Sequence, residues 1–268
     1  MEDLEKLNKE FRKKIIRLHG RSNTSHLGSS LSCIDIISVL YNRILRISDS
    51  ERMNYMDKFI LSKGHAAPAL YVVLNYLGII NDKLINEYGE EGTTLFEHPE
   101  RHNTPGVEVS TGSLGHGLSI GVGMAYSFKL DKKKNKIFVL MSDGECQEGS
   151  VWEAAMMASA LKLDNIVVII DYNNLQGFGQ TENIQDNEKI RERFKASGWD
   201  YAEVDGHDIL LLEKTLSNIP KSPNKPTVVI ARTIKGKGVP SIENKLEWHY
   251  KSPNQQEVKE FTKEVERN

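Results

Sequence analysis

Two short apolar runs, each closing on a polar turn, constrain this chain more than any other feature. Ile137-Phe138-Val139-Leu140-Met141 leads into Ser142-Asp143-Gly144-Glu145, and Ile166-Val167-Val168-Ile169-Ile170 leads into Asp171-Tyr172-Asn173-Asn174. Brief β-branched runs bounded by turn residues are the pattern of strands buried on both faces of a parallel sheet. Gln147 to Leu163, lying between them, reads as a helix with Trp152, Ala155, Met156, Ser159, Ala160 and Leu163 along one face. A right-handed crossover then carries both turns to the carboxyl edge of one sheet, the edge at which open α/β sheets bind ligands. The expected class is α/β, a parallel sheet with helices on both faces.

The chemistry of the two turns follows from the residue types. Asp143 offers a carboxylate oxygen and Asn173 a neutral amide oxygen. Gly144 lets an anion come close to the backbone. The helix after Glu148-Gly149 presents free amides and a positive dipole end. Few oxygen ligands beside an anion site suit Mg²⁺ shared with a diphosphate. No G-x-x-x-x-G-K-[ST] loop occurs, so this is not a P-loop. The competing reading is two surface turns that carry Asp and Asn by chance; the second turn, placed after a second buried strand, argues against it.

Length and charge narrow the class. The 268 residues suffice for one large domain with a sizeable core. Lys plus Arg is 35 and Asp plus Glu is 37, a balance that gives no reason to expect nucleic acid or an anionic membrane as partner. Lys132-Lys133-Lys134 follows a helix and reads as its solvated end. Cys33 and Cys146 have no metal-ligand spacing, which favours a reduced cytoplasmic compartment. The N-terminus is charged, and no apolar stretch approaches the ~20 residues a membrane span needs.

The spacing from Asp143-Gly144 to Asn173 resembles the thiamine diphosphate fingerprint, and Ser142-Asp143-Gly144-Glu145-Cys146-Gln147-Glu148-Gly149 resembles its transketolase version. Other strings agree. Thr24-Ser25-His26-Leu27-Gly28 resembles the family's Ser-Gly-His-Pro-Gly, with Leu27 for Pro. Ser62-Lys63-Gly64-His65-Ala66 resembles Ser-x-Gly-His-Ala. Glu97-His98-Pro99-Glu100 resembles Gly-His-Pro-Glu, with Glu97 for Gly. Gly112-Ser113-Leu114-Gly115-His116-Gly117 resembles Gly-Pro-Leu-Gly-Gln-Gly. Thr233 to Gly238 resembles Thr-x-x-Gly-x-Gly, and Trp248-His249-Tyr250 has Tyr where the family has Gly. On local grounds His26 reads as an exposed loop imidazole; His65, near a helix N-terminus, could donate to a phosphate or only cap the helix; and the competing reading of His249 is a surface residue beside Trp248.

The resemblance implies a single diphosphate-binding domain over residues 1–268, with thiamine diphosphate and Mg²⁺ (or Ca²⁺ or Mn²⁺ in its place) as cofactors. It implies metal ligation by Asp143, Asn173 and the Leu175 carbonyl. It implies cofactor contacts from His65, Gly112, Ser113, Leu114, Asp143, Gly144, Glu145, Asn173 and His249. His26, His65, His98 and His249 would serve as substrate-binding and proton-relaying residues. Glu148 would link cofactor sites across a dimer, although an acid at a helix start also simply favours the dipole. Full-length transketolases are more than twice as long, and their further domains carry the Glu that protonates the aminopyrimidine. Only 19 residues follow His249. The expectation is therefore the N-terminal subunit of a split transketolase, active in an α₂β₂ heterotetramer with a separate pyrimidine-binding C-terminal subunit. It would move a two-carbon ketol group from a ketose to an aldose, with the sugars phosphorylated or free. The alternatives are a 1-deoxyxylulose-phosphate-synthase-like or specialised-sugar relative, and a cofactor-binding module without catalysis.

Overall fold

A computed structural model describes residues 3–49, 54–184 and 189–267. In chain order the elements are α1 (Leu4–Ser22), α2 (Leu27–Val39), β1 (Ile47–Asp49), β2 (Asn54–Tyr55), β3 (Lys58–Leu61), α3 (Ala67–Tyr76), α4 (Asp82–Asn86) and α5 (His116–Leu130). They continue with β4 (Ile137–Ser142), α6 (Gly149–Ala160), β5 (Ile166–Tyr172), β6 (Leu175–Gln176), β7 (Gly179–Gln180), α7 (Thr181–Ile184) and α8 (Ile190–Ala196). The chain closes with β8 (Asp200–Asp205), α9 (Ile209–Ser217), β9 (Thr227–Arg232) and α10 (Gln255–Arg267).

Five strands form one parallel sheet in the order β3-β4-β5-β9-β8. All six residues of β4 and all seven of β5 are buried, as strands covered on both faces must be. Alternate residues feed two separate cores. Phe138, Leu140, Val167 and Ile169 meet α1, α2, α3 and α9. Ile137, Val139, Met141, Ile166, Val168 and Ile170 meet α5, α6 and α8. Helices thus cover both faces, as expected.

Register positions the site. Ser142 pairs with Asp171 across β4 and β5, so Asp143 emerges beside the Asn173 turn. On the other side Leu140 pairs with Leu61, which delivers Lys63-Gly64-His65 to the same edge. Helix α5 lies close over that edge: a Cβ on Gly117 would stand 2.3 Å from the Ser62 hydroxyl, a distance only glycine permits.

One local expectation, the packed face of α6, changes. Helix α1 continues to Ser22 and α2 starts at Leu27, so only Asn23–His26 remain as a loop. Helix α6 buries Val151, Ala154, Ala155 and Ala158, whereas Met156 is 57% exposed. Its small residues allow close approach to the sheet; Met156 and Met157 face away, while Trp152 packs against Phe194 at 5.1 Å. The charged helix α10 packs onto the core: Phe261 and Val265 are buried against the α1 side, and Trp248 meets Phe261 edge-on at 5.1 Å. Among the described residues no helix is long and apolar enough to cross a membrane. Cys33 and Cys146 are both free and buried.

Candidate active site

The carboxyl edges of β3, β4 and β5 open into a cavity of about 500 Å³. Asp143, Gly144, Asn173 and Leu175 form its floor, and His26, His65, His98 and His249 stand around it. Gly112, Leu114 and Glu148 complete the part of the wall foreseen from the sequence.

The two turns are physically joined. Asp143 Oδ2 accepts from the Asn174 amide and from the Thr181 hydroxyl, each at 2.9 Å, and Oδ1 accepts from the Gly144 amide at 2.9 Å. The Leu175 amide donates to Asn173 Oδ1 at 3.1 Å. Burial pushes the Asp143 carboxyl up to about 6, since a charge removed from water is disfavoured.

Four imidazoles converge although their residues are far apart in sequence. His26 lies 5.1 Å from His65, 6.4 Å from His98 and 5.0 Å from His249, ring centre to ring centre. The His26 amide also donates to the His249 carbonyl at 3.1 Å, which ties their loops together. Burial, helped by nearby His98, Lys235 and Lys63, lowers His26 to about 4. Burial and Lys235 lower His249 to about 3, and burial and Lys63 lower His65. These three rings are neutral at pH 7 and able both to donate and to accept.

Two residues stand elsewhere. Glu145 is fully buried behind the turn and does not reach the cavity wall. Its carboxylate accepts from the Ser62 hydroxyl and from the amides of Ser142 (2.9 Å) and Gly115 (3.0 Å). A polar side chain in a turn looks ligand-facing in sequence, but these three donors hold it inside. Ser113 is exposed and lies off the wall, between Gly112 and Leu114, which do line it.

Two buried lysines beside the site carry no local signature of that role. The Lys63 ammonium is buried against Asp171 and also donates to the Ser29 carbonyl at 3.1 Å. The ammonium of Lys235, itself 1% exposed, donates to the Leu175 carbonyl at 3.0 Å and to His249 Nδ1 at 2.7 Å. Burial and neighbouring Lys63 lower Lys235 to about 8. Single lysines in glycine-rich strings look solvated; the one local clue is that each sits within a few residues of a sheet-edge turn. Gln147, Gln176, Phe178 and Tyr250 also line the cavity.

The donors suit a diphosphate-bridged divalent ion. One carboxylate, one amide oxygen and one main-chain carbonyl are hard ligands, too few for six-fold coordination without phosphate and water. Among the described residues no group of three or more His, Cys, Asp or Glu could hold a metal. The buried amide nitrogens of Gln147 and Gln176 have no partner among the described residues. They are donors awaiting an acceptor, which an oxygen-rich anion supplies.

Comparison with known proteins agrees with this geometry. Residues 11–267 match the family described as transketolase, thiamine diphosphate binding domain. The chain belongs to the transketolase family. One of the subunits of an apulose-4-phosphate transketolase, that of Phocaeicola vulgatus, is 41% identical over 266 residues, spanning 99% of this chain and 94% of that protein. The 6-deoxy-6-sulfo-D-fructose transketolase subunit SqwG of a Clostridium species is 35% identical over 249 residues, spanning 92% and 90%. The crystal structure of transketolase from Campylobacter jejuni superposes with a TM-score of 0.86 at 29% identity, covering 99% of this chain and 43% of that one. The chain therefore spans about two-fifths of the solved transketolase it matches, and nearly all of the two transketolase subunits.

Proposed function

We propose that this chain is the thiamine diphosphate-binding subunit of a split transketolase and works within an α₂β₂ assembly that includes a separate pyrimidine-binding subunit. The observation that carries the reading is the meeting of the Asp143 and Asn173 turns with four imidazoles in one cavity. Asp143, Asn173 and the Leu175 carbonyl would hold Mg²⁺, with Gly144, Gly112 and Leu114 against the cofactor. When bound, thiamine diphosphate supplies the electron sink for moving a two-carbon ketol unit from a ketose to an aldose.

The chain's own residues do the rest. Neutral His26, His65 and His249 bind sugar hydroxyls and exchange protons with them, and His98 narrows the approach. Lys63 is neutralised by Asp171, while the Lys235 ammonium, held on the Leu175 carbonyl and His249, brings positive charge next to the proposed cofactor site. Glu148 lines the cavity and is itself exposed, so a neighbouring subunit could reach it. Beyond it, Met156 and Met157 of α6 are 57% and 53% exposed, with Ile120 and Tyr126 of α5 at 38% and 39%. Apolar surface of this kind on a neighbouring helix pair is what a subunit contact covers.

Substrates are of the sugar or sugar-phosphate class. The relatives named as transketolase subunits for apulose-4-phosphate and for 6-deoxy-6-sulfo-D-fructose favour a specialised sugar over the common ketoses. The test is calorimetric titration of thiamine diphosphate with Mg²⁺ into the wild-type chain and into Asp143→Ala. Metal-dependent binding that disappears in Asp143→Ala supports the assignment; equal affinity in both chains sinks it.

A further inference from the structure

We propose that Thr181 is a positioning residue for the Asp143 carboxylate and that the β6–β7 hairpin exists at this edge to deliver it. The inference rests on the reading of Asp143 as a metal ligand. The chain leaves β5 at Asn173 and turns at Asn174, which adopts a left-handed φ of 59°. The two-stranded hairpin that follows pairs Leu175 with Gln180 and Gln176 with Gly179. It returns the chain so that the Thr181 amide donates to the Asn174 carbonyl at 3.1 Å. There the fully buried Thr181 side chain aims its hydroxyl at Asp143 Oδ2, at 2.9 Å.

This closes a ring of hydrogen bonds between two turns that lie on different strands. Asn174 donates to Asp143, Asn174 accepts from Thr181, and Thr181 donates to Asp143. A hydroxyl has one hydrogen to give, and here it goes to the carboxylate. The terminal torsion of an aspartate is soft, so the plane of its carboxylate is set by the donors around it. The same hairpin carries the Leu175 carbonyl. Its length therefore fixes two proposed metal donors against each other, and Thr181 is the point where that length is read.

Groups that orient a metal's ligands typically account for 10–100-fold in metal affinity. The experiment uses the enzyme assembled with its partner subunit, with thiamine diphosphate and with Mn²⁺ as the paramagnetic probe, counting free Mn²⁺ by electron paramagnetic resonance. Thr181→Val keeps the shape and removes the donor; Thr181→Ser keeps the donor and removes a methyl group. Asp143→Ala is the control, and thermal melts without metal report folding. Thr181→Val should bind Mn²⁺ about 10–100-fold more weakly, and Thr181→Ser should recover most of that loss. Unchanged affinity in Thr181→Val, with binding lost in Asp143→Ala, overturns the role of Thr181 and leaves the metal site standing. Equal Mn²⁺ binding by Asp143→Ala and wild type, or none by either, overturns the metal reading itself. Weakening in both Thr181 variants that only tracks a fall in melting temperature marks a packing role and also overturns the proposal.

Discussion

The Lys63 ammonium and the Asp171 carboxylate are hydrogen-bonded to each other with neither side chain exposed to solvent. Lys63 follows β3 and Asp171 lies near the end of β5, so the pair spans β4 beneath the Asp143 turn. Burial alone would lower Lys63, but the Asp171 charge raises it. Burial alone would raise Asp171, but Lys63 holds it below the ordinary carboxylate range, with hydroxyls of Ser32 and Thr233 assisting. Both groups are therefore charged, and each depends on the other.

Removing one partner leaves a buried charge unpaired. Lys63→Met is expected to cost about 3–5 kcal/mol, read from urea unfolding. Adding Asp171→Asn to that variant should recover part of the loss, because the stranded charge goes with it. Equal stability of Lys63→Met and wild type would mean that the pair is not buried in solution.

His19 makes stability depend on pH. It is 1% exposed, its Nδ1–H donates to the Thr24 carbonyl at 3.1 Å, and Nε2 accepts from the Ser30 hydroxyl at 3.2 Å. Burial lowers it to about 4, against an ordinary value of about 6.5. As pH falls below about 6.5 the unfolded chain takes the proton and the folded chain does not, so stability declines until about pH 4. The full shift corresponds to about 3 kcal/mol. Unfolding midpoints of wild type and His19→Gln between pH 7.5 and 4.5 test this: the decline should be shallower in the variant, and parallel curves would refute it.

The exposed side of α6 should matter for assembly and not for folding. Met156→Glu with Met157→Glu is expected to change monomer stability by no more than about 0.5 kcal/mol, as exposed substitutions usually do. Sedimentation of the assembled enzyme should nevertheless show smaller species. An unchanged sedimentation profile would place the subunit contact elsewhere.

Much of this site is visible in sequence because its geometry is local. Ile137–Met141 and Ile166–Ile170 read as strands since a doubly covered strand has no polar face to disguise it. Asp143 and Asn173 sit directly beyond them, so the sheet register brings their turns together. What sequence hides are pairings made across the fold. Glu145 lies next to Gly144 yet faces Ser62 and Gly115, a choice only α5 and β3 dictate. Lys235 reaches the Leu175 carbonyl from 60 residues away. Of the face expected for α6, Ala155 and Leu163 are buried and Trp152 packs against the core, while Met156 is exposed and Val151, Ala154 and Ala158 are buried instead. Small residues approach a sheet more closely than large ones, and size alone does not report burial.

The most direct test of the split-transketolase account is the native mass and activity of this protein purified from its own source. The account predicts a complex with a second polypeptide of about 30 kDa, the size of one α/β domain with additional segments. That complex should transfer a two-carbon unit from a ketose to an aldose only when thiamine diphosphate and Mg²⁺ are supplied. A homo-oligomer of this chain alone, or a complex inert toward every ketose offered, would contradict it.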